Sequence, residues 1–475
     1  MTETTNGVFD LLIVGAGPAG LAAAAEAARL GLSVAVIDEN PSTGGQIYRN
    51  ITRQSAAGDP KILGPDYFYG TNLVAEAHAS DATFLCEATV WMIQSNQEEP
   101  LVTVGVLRGE GAEILTSRHV LIATGALERP FPVKGWTLPG VMTAGAAQTM
   151  LKTSGTVPEG RVVLAGTGPL LYLLAAQFAR ASMPLLVILD TTPRANWLKA
   201  LPHLPEFVAS EYFRKGLGLL AEVRRSTRII GGVTHIEAGG DGQLEFIEYE
   251  AAGRRGRFET DIVLLHQGVV PQVNLAMAAG CEHVWSDDRL AFEPYLLDGF
   301  RSSVRGVSIA GDSMGIGGAL AAEASGRIAA LHIAHDLRKL SDSERDRRIR
   351  HPQSTLRKAL RGRRFIDALY KPAKAFRIPQ DDVIVCRCEE VKAGDVRAAA
   401  ARGAQGPNQA KTFLRTGMGP CQGRLCGLTV TEIMACQTGK TPGDIGYFHI
   451  RNPVKPITLG ALSHLKGDSE TTRLF

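Results

Sequence analysis

The sequence predicts an α/β chain with two Rossmann-like dinucleotide-binding domains and a small, α-rich, cysteine-bearing domain at its end. Three observations carry this. An apolar run, a Gly-rich turn and an Ala-rich segment follow one another from Phe9 to Leu30. The same succession returns, imperfectly, from Val162. Five of the seven cysteines fall in the last 90 of 475 residues.

Phe9-Asp-Leu-Leu-Ile-Val14 reads as a buried parallel strand. Gly15-Ala-Gly17-Pro18-Ala19-Gly20 closes it and opens an Ala-rich helix over Leu21–Leu30. A second strand, Ser33–Ile37, ends at Asp38, with Glu39 beside it. In this G-x-G-x-x-G pattern Gly15 permits the tight turn. Gly17 lets the backbone approach a pyrophosphate, and Gly20 lets helix and strand pack closely. The helix N-terminus offers unpaired N–H groups and a favourable dipole to phosphate. Asp38 stands where an acid holds ribose hydroxyls, about 20 residues on.

The second unit is weaker. Val162–Ala165 is its strand, Gly166-Thr-Gly168-Pro-Leu-Leu171 its turn, Leu170–Arg180 its helix, and Leu185–Leu189 the next strand, ending at Asp190. Leu171 replaces the third glycine and is expected to push the helix off and distort the cradle. Asp190 remains a candidate for a ribose hydroxyl. The residues alone leave a second adenine nucleotide, a productive NAD(P)H site and a structural remnant all open.

Residues 220–260 read as short strands with turns, and 304–335 as strand, Gly-rich turn and Ala-rich helix. Residues 338–377 hold fourteen Lys/Arg against four Asp/Glu and read as a basic linker or docking arm. The last domain spans 378–475. In it Cys386-Arg-Cys388 precedes Cys421-Gln-Gly-Arg-Leu-Cys426 by 32 residues. Two thiolate pairs brought together by a folded spacer make a four-sulfur metal site. Gly417, Gly419, Gly423 and Gly427 leave backbone N–H groups free to donate to sulfur. Iron–sulfur and zinc both remain open on residues alone, although zinc more often uses C-x2-C knuckles. Cys86, Cys281 and Cys436 read as core cysteines.

The exclusions are as useful. With 51 basic and 48 acidic residues, net charge +3, nucleic acid is not the main partner. Met1–Gly7 has no basic stretch before the apolar run, which speaks against a leader peptide. No apolar run is long and clean enough to span a membrane. The expected compartment is cytoplasmic and reducing. His266 reads as a satisfied core histidine, and the four tryptophans read as packing. Nothing resembles a hydrolase triad or a zinc-protease helix.

Further motifs carry a resemblance. Leu121-Ile-Ala-Thr124-Gly125 and Val307-Ser-Ile-Ala-Gly311-Asp312 resemble the second and third signatures of two-dinucleotide-binding flavoproteins of the glutathione-reductase type, over residues 8–335. The resemblance implies FAD in the first site and Asp312 on its ribityl chain. The turn Gly315–Gly318 would approach the isoalloxazine end, and the loop Pro41–Gln46, with Gly45 and Gln46, would pass beside the flavin. It also implies an FAD domain of 1–126 and 258–337 around a second domain of 127–257. No cysteine follows Gly45, so disulfide reduction is disfavoured.

Cys386-Arg-Cys-Glu-Glu-Val391 and Gly417–Cys426 resemble the bacterioferritin-associated-ferredoxin type of [2Fe–2S] domain. The whole order resembles the A (alpha) subunits of opine oxidases, a hydrogen cyanide synthase subunit, and the alpha subunits of heteromeric proline or hydroxyproline dehydrogenases. This implies an electron-transfer subunit with FAD and a [2Fe–2S] cluster. It also implies a beta subunit similar to D-amino-acid oxidase, in some members an FMN at the interface, and a downstream electron acceptor. Opine oxidation would yield an amino acid and a 2-oxo acid. The competing readings are a stand-alone NAD(P)H reductase and a zinc-bearing non-redox scaffold.

Overall fold

The computed structural model describes residues 7–96, 99–463 and 465. The leader reading of Met1–Asn6 lies outside these residues, as does the tail of the expected last domain at 464 and 466–475. Among the described residues no helix is long and apolar enough to cross a membrane.

Phe9–Val14 is the centre of a parallel layer. It pairs with Val34–Ile37 on one side and with the end of the long strand Gly111–Ile122 on the other. Thr83–Leu85 and Val307–Ile309 extend the layer in parallel. These strands are apolar on both faces because helices or a second sheet cover both. The first half of Gly111–Ile122 pairs antiparallel with Val102–Arg108, which pairs with Ala88–Ser95. One strand thus belongs to two layers and fixes where the antiparallel one stands.

Helices Pro18–Arg29 and Ala319–Asp336 cross over this sheet, both rich in alanine. They meet at backbone distance: a Cβ on Gly326 would lie 2.1 Å from the Ala19 carbonyl oxygen.

A second parallel sheet centres on Val162–Thr167, between Val187–Asp190 and Ile262–Gln267, with Ile229–Gly231 and Val141–Thr143 at its edges. The sequence places Ile262–Gln267 in the returning FAD half, from residue 258. It pairs instead from Ile262↔Val162 to Gln267↔Thr167, so the return follows it. An apolar run carries no mark of which parallel sheet it joins. Residues 220–226, expected as strand, are the last turns of helix Glu211–Ser226. Leu219, Leu220 and Val223 supply an apolar side at helical spacing, and they pack into the core. The strands begin at Ile229, and Val233–Gly239, Phe246–Ala251 and Arg254–Glu259 form an antiparallel meander.

The basic segment is folded. Asp342–Leu360 is a helix whose cap, Ser341 Oγ, accepts from the Glu344 amide at 3.3 Å. Arg363–Leu369 follows, with Phe365 stacked on Phe207 at 4.2 Å. Much of the positive charge is spent within the helix, as in Arg345 on Asp342 and Asp346, and Arg348 on Glu344.

The last domain is a hairpin, Ile384–Cys386 with Val391–Lys392, and helices Ala393–Ala401, Pro407–Leu414 and Gly427–Thr438. It shares one apolar cluster with the first sheet, in which Leu12, Ile37 and Val104 belong to the same core as Val385, Val430 and Ile433. Trp136 Nε1 donates to the Ile384 carbonyl at 2.7 Å, and Arg377 pairs with the buried Glu432. Of the three cysteines expected in the core, Cys281 is buried, Cys86 half-buried and Cys436 exposed. Helix Gly427–Thr438 turns Val430, Ile433 and Met434 inward, which leaves Cys436 on its outer side.

Removing one member of a buried ion pair leaves the other charge stranded. Glu432→Ala is therefore expected to lower unfolding free energy by about 3 kcal/mol, read from the denaturant midpoint.

Candidate functional site

An open cleft enclosing about 1570 Å³ runs along the C-terminal ends of the first parallel sheet. Gly15, Gly17, Pro18 and Ala19 form its floor at the first turn. Asp38 and Glu39 stand at one end, Gly45 and Gln46 along the side, and Thr124, Gly125, Gly311 and Asp312 at the other. Every residue expected to hold FAD is thus at the cleft except Gly20, which does the packing instead. A Cβ at Gly20 would lie 1.9 Å from the Gly15 carbonyl oxygen, and one at Gly15 would lie 2.4 Å from that of Ala123. Gly15 has φ +107°, a conformation side chains rarely adopt.

The polar groups are fixed before any ligand arrives. Asp38 Oδ2 accepts from the Ala16 amide at 2.6 Å, and Oδ1 accepts from the Asn40 amide and side chain at 2.8 and 2.7 Å. Asp312 Oδ1 accepts from the amides of Gly317 and Gly318 at 2.9 and 3.0 Å. No side chain caps the helix that starts at Pro18. Gln272, on the wall, has a buried Oε1 with no partner, an acceptor that a bound ligand's donor would satisfy. The cradle and the donor set fit a dinucleotide.

Sequence reasoning missed five lining residues: Gln148, Lys152, Gln272, Arg424 and Lys455. Lys152 had a faint signal, as the one charge in helix Ala144–Ser154. It is buried, and its Nζ donates to the Gln46 carbonyl at 3.0 Å. Desolvation, aided by Arg49, pushes its pKa down to about 7.

The second motif is filled from within. Leu171 is fully buried. Its neighbour Tyr172 donates to Asp190 Oδ2 at 2.6 Å, and the Thr192 amide donates to Oδ1 at 2.8 Å. Gly166 and Gly168 shape the turn, but both oxygens of Asp190 are already engaged by protein. Burial and the Asp190 charge push the Tyr172 hydroxyl up. His266 is buried, with Nδ1 2.5 Å from Glu128 Oε1, a satisfied core histidine as expected.

The four C-terminal cysteines come together in two contacting pairs, Cys386 with Cys426 and Cys388 with Cys421. The hydrogen bond from Cys426 pulls Cys386 down to about 6, and amides of Glu389, Gly417 and Cys388 add to it. The same bond and deep burial raise Cys426. A Cβ on Gly419 would lie 2.2 Å from Cys388 Cβ, so only glycine lets this loop close on the thiol. Among the described residues no three His, Cys, Asp or Glu side chains converge as a single metal ion requires.

Fold and cleft together define an oxidoreductase built on two dinucleotide-binding folds. Residues 9–336 match the family described as pyridine nucleotide-disulphide oxidoreductase, and the chain belongs to that family. Residues 382–464 match the sarcosine oxidase A3 domain. The chain is 47% identical over 462 residues to the opine oxidase alpha-type (A) chain of Agrobacterium tumefaciens (strain Ach5), covering 96% of this chain and 92% of that one. It is 30% identical over 468 residues to hydrogen cyanide synthase subunit HcnB of Pseudomonas aeruginosa, covering 96% and 98%. The crystal structure of L-proline dehydrogenase from P. horikoshii shares the fold, with TM-score 0.70 at 20% identity over 96% of this chain and 79% of that one.

Lys152 generates a pH prediction for the ligand-free protein. Unfolded lysine keeps its proton to about pH 10.4, whereas the folded group releases it near 7. Between these values the unfolded state binds more protons, so stability rises with pH. Urea unfolding is expected to show the wild type gaining on Lys152→Met as pH climbs from about 7 towards 10.

Proposed function

We propose that the chain is the alpha (A) subunit of a heteromeric opine oxidase, with FAD in the cleft and a [2Fe–2S] cluster on Cys386, Cys388, Cys421 and Cys426. The observation that carries this reading is the cysteine loop built into the cleft wall: Arg424, between Cys421 and Cys426, lines the same cavity as Gly15, Asp38 and Asp312. The likeness to opine oxidase chains of this type along nearly the whole sequence supports it. A cluster that takes one electron at a time is matched by a flavin, which exchanges electrons singly or in pairs.

The chain's own residues prepare the site. The helix at Pro18 presents its positive end to the pyrophosphate, Asp38 orients ribose hydroxyls and Asp312 the ribityl chain. Two sulfur pairs suit a binuclear cluster, in which each iron takes two thiolates, better than one zinc ion at the centre of four. Amides aimed at Cys386 stabilise its charge.

Opine oxidation itself belongs to the partner, a beta subunit similar to D-amino-acid oxidase. There the C–H and N–H of the secondary amine give up two electrons and two protons to the partner's flavin. Water then splits the imine into an amino acid and a 2-oxo acid. Electrons cross the interface, where some relatives hold FMN, and this chain passes them to a downstream acceptor. Seven cysteines without a disulfide suit a reducing cytoplasm. With Asp190 held by Tyr172, the second motif is a structural remnant in this reading, without nicotinamide chemistry.

Anaerobic titration of the purified chain with NADH and NADPH tests this. A flavin-plus-cluster spectrum is expected to ignore both nucleotides and to bleach with an opine only when the partner is present. Prompt bleaching by NADH alone would replace this reading with a self-sufficient reductase. Cys421→Ser is expected to lose the cluster absorption and keep the flavin band.

A further inference from the structure

Three cationic side chains line the cleft: Lys152, Arg424 and Lys455. Two of them come from the C-terminal domain. Lys455 Nζ pairs with Glu39, the residue after the ribose-binding Asp38. The neighbouring Val454 is buried and pinned from both sides. Its amide donates to the Trp91 carbonyl on strand Ala88–Ser95 at 2.9 Å, and its carbonyl accepts from Arg424 Nη2 at 3.0 Å. Arg424 Nη1 in turn donates to the Cys421 carbonyl at 3.0 Å, while its Nε is a buried donor without an acceptor. A second pin, Asn274 Nδ2 on the Gln422 carbonyl at 2.8 Å, ties the same cysteine loop to the first domain.

We propose that the nucleotide site is composite: the Glu39–Lys455 pair is a clasp that closes the C-terminal domain over the adenosine end, with Lys455 and Arg424 as nucleotide-positioning residues. The proposal rests on the reading of the cleft as an adenine-nucleotide site. A dinucleotide beneath the clasp can leave only when segment 452–455 lifts. That segment is joined through Val454 and Arg424 to the loop holding Cys421 and Cys426. Nucleotide occupancy and order in the cysteine loop are therefore linked, and linkage is reciprocal. A single polypeptide thereby assembles its two electron-carrying sites as one unit.

The test is FAD affinity together with hydrogen–deuterium exchange of the full chain. In the wild type and in Lys455→Arg, FAD is expected to slow exchange in 421–426 and 452–455 as well as at the Gly15–Gly20 turn. Lys455→Met is expected to raise the FAD Kd about tenfold or more, the effect of one lost charge-assisted contact, and to abolish protection at 452–455. Glu39→Gln combined with Lys455→Met should be no worse than the worse single change, because each opens the same clasp. Indifference of 452–455 to bound nucleotide, or a Lys455→Met Kd within twofold of wild type, would overturn the proposal. ADP serves as a parallel probe. Protection by ADP but not by FAD upholds the composite site and removes the FAD reading, and binding of neither removes both.

Discussion

The molecule depends on close backbone approach between its first helix and its neighbours. At Gly20 the helix lies so near the turn before it that no side chain fits, and at Gly326 a second helix meets the first at the same kind of distance. These contacts set the N-terminus of Pro18–Arg29 at the mouth of the cleft, pointing its free amides where phosphates bind. Bulk at either glycine would move the helix and the cleft floor together. The Ala-rich composition of both helices follows from this constraint rather than from helix propensity alone.

The duplicated unit shows what happens without the constraint. Leu171 replaces the third glycine, and the space is used for side-chain packing. Tyr172 then reaches the strand-end acid, so Asp190 closes a hydrogen bond within the domain. Asp38 also accepts hydrogen bonds, but from the backbone and side chain of its own strand end and turn, and it stays on the cleft wall. Two carboxylates at equivalent places thus have different surroundings, set by residues on the adjoining helix.

The C-terminal domain is more than an appendage. Apolar core continues from the first sheet into it, and polar pins at Trp136, Asn274 and Val454 hold it in one orientation. Apolar contact supplies the attraction and the directional hydrogen bonds supply the register. This division explains how a small cysteine domain can keep a fixed place beside a nucleotide cleft.

What can be read from the chain alone is whatever depends on neighbours in sequence. The two βαβ units, the strand-end acids, the glycine turns and the grouped cysteines all have local signatures, because turn geometry and periodicity are local properties. The strand Ile262–Gln267 has no such mark, and only pairing with Val162–Thr167 decides its domain. The end of the helix at Ser226 reads as strand when its apolar residues are counted without their period. Cys436 passes for a core residue until the packing of its helix turns it outward. Lys152, Arg424 and Lys455 reach the cleft from the second and third domains, far along the chain from the first glycine turn. Their role exists only in three dimensions, because long-range packing, which no spacing encodes, brings these charges to one wall.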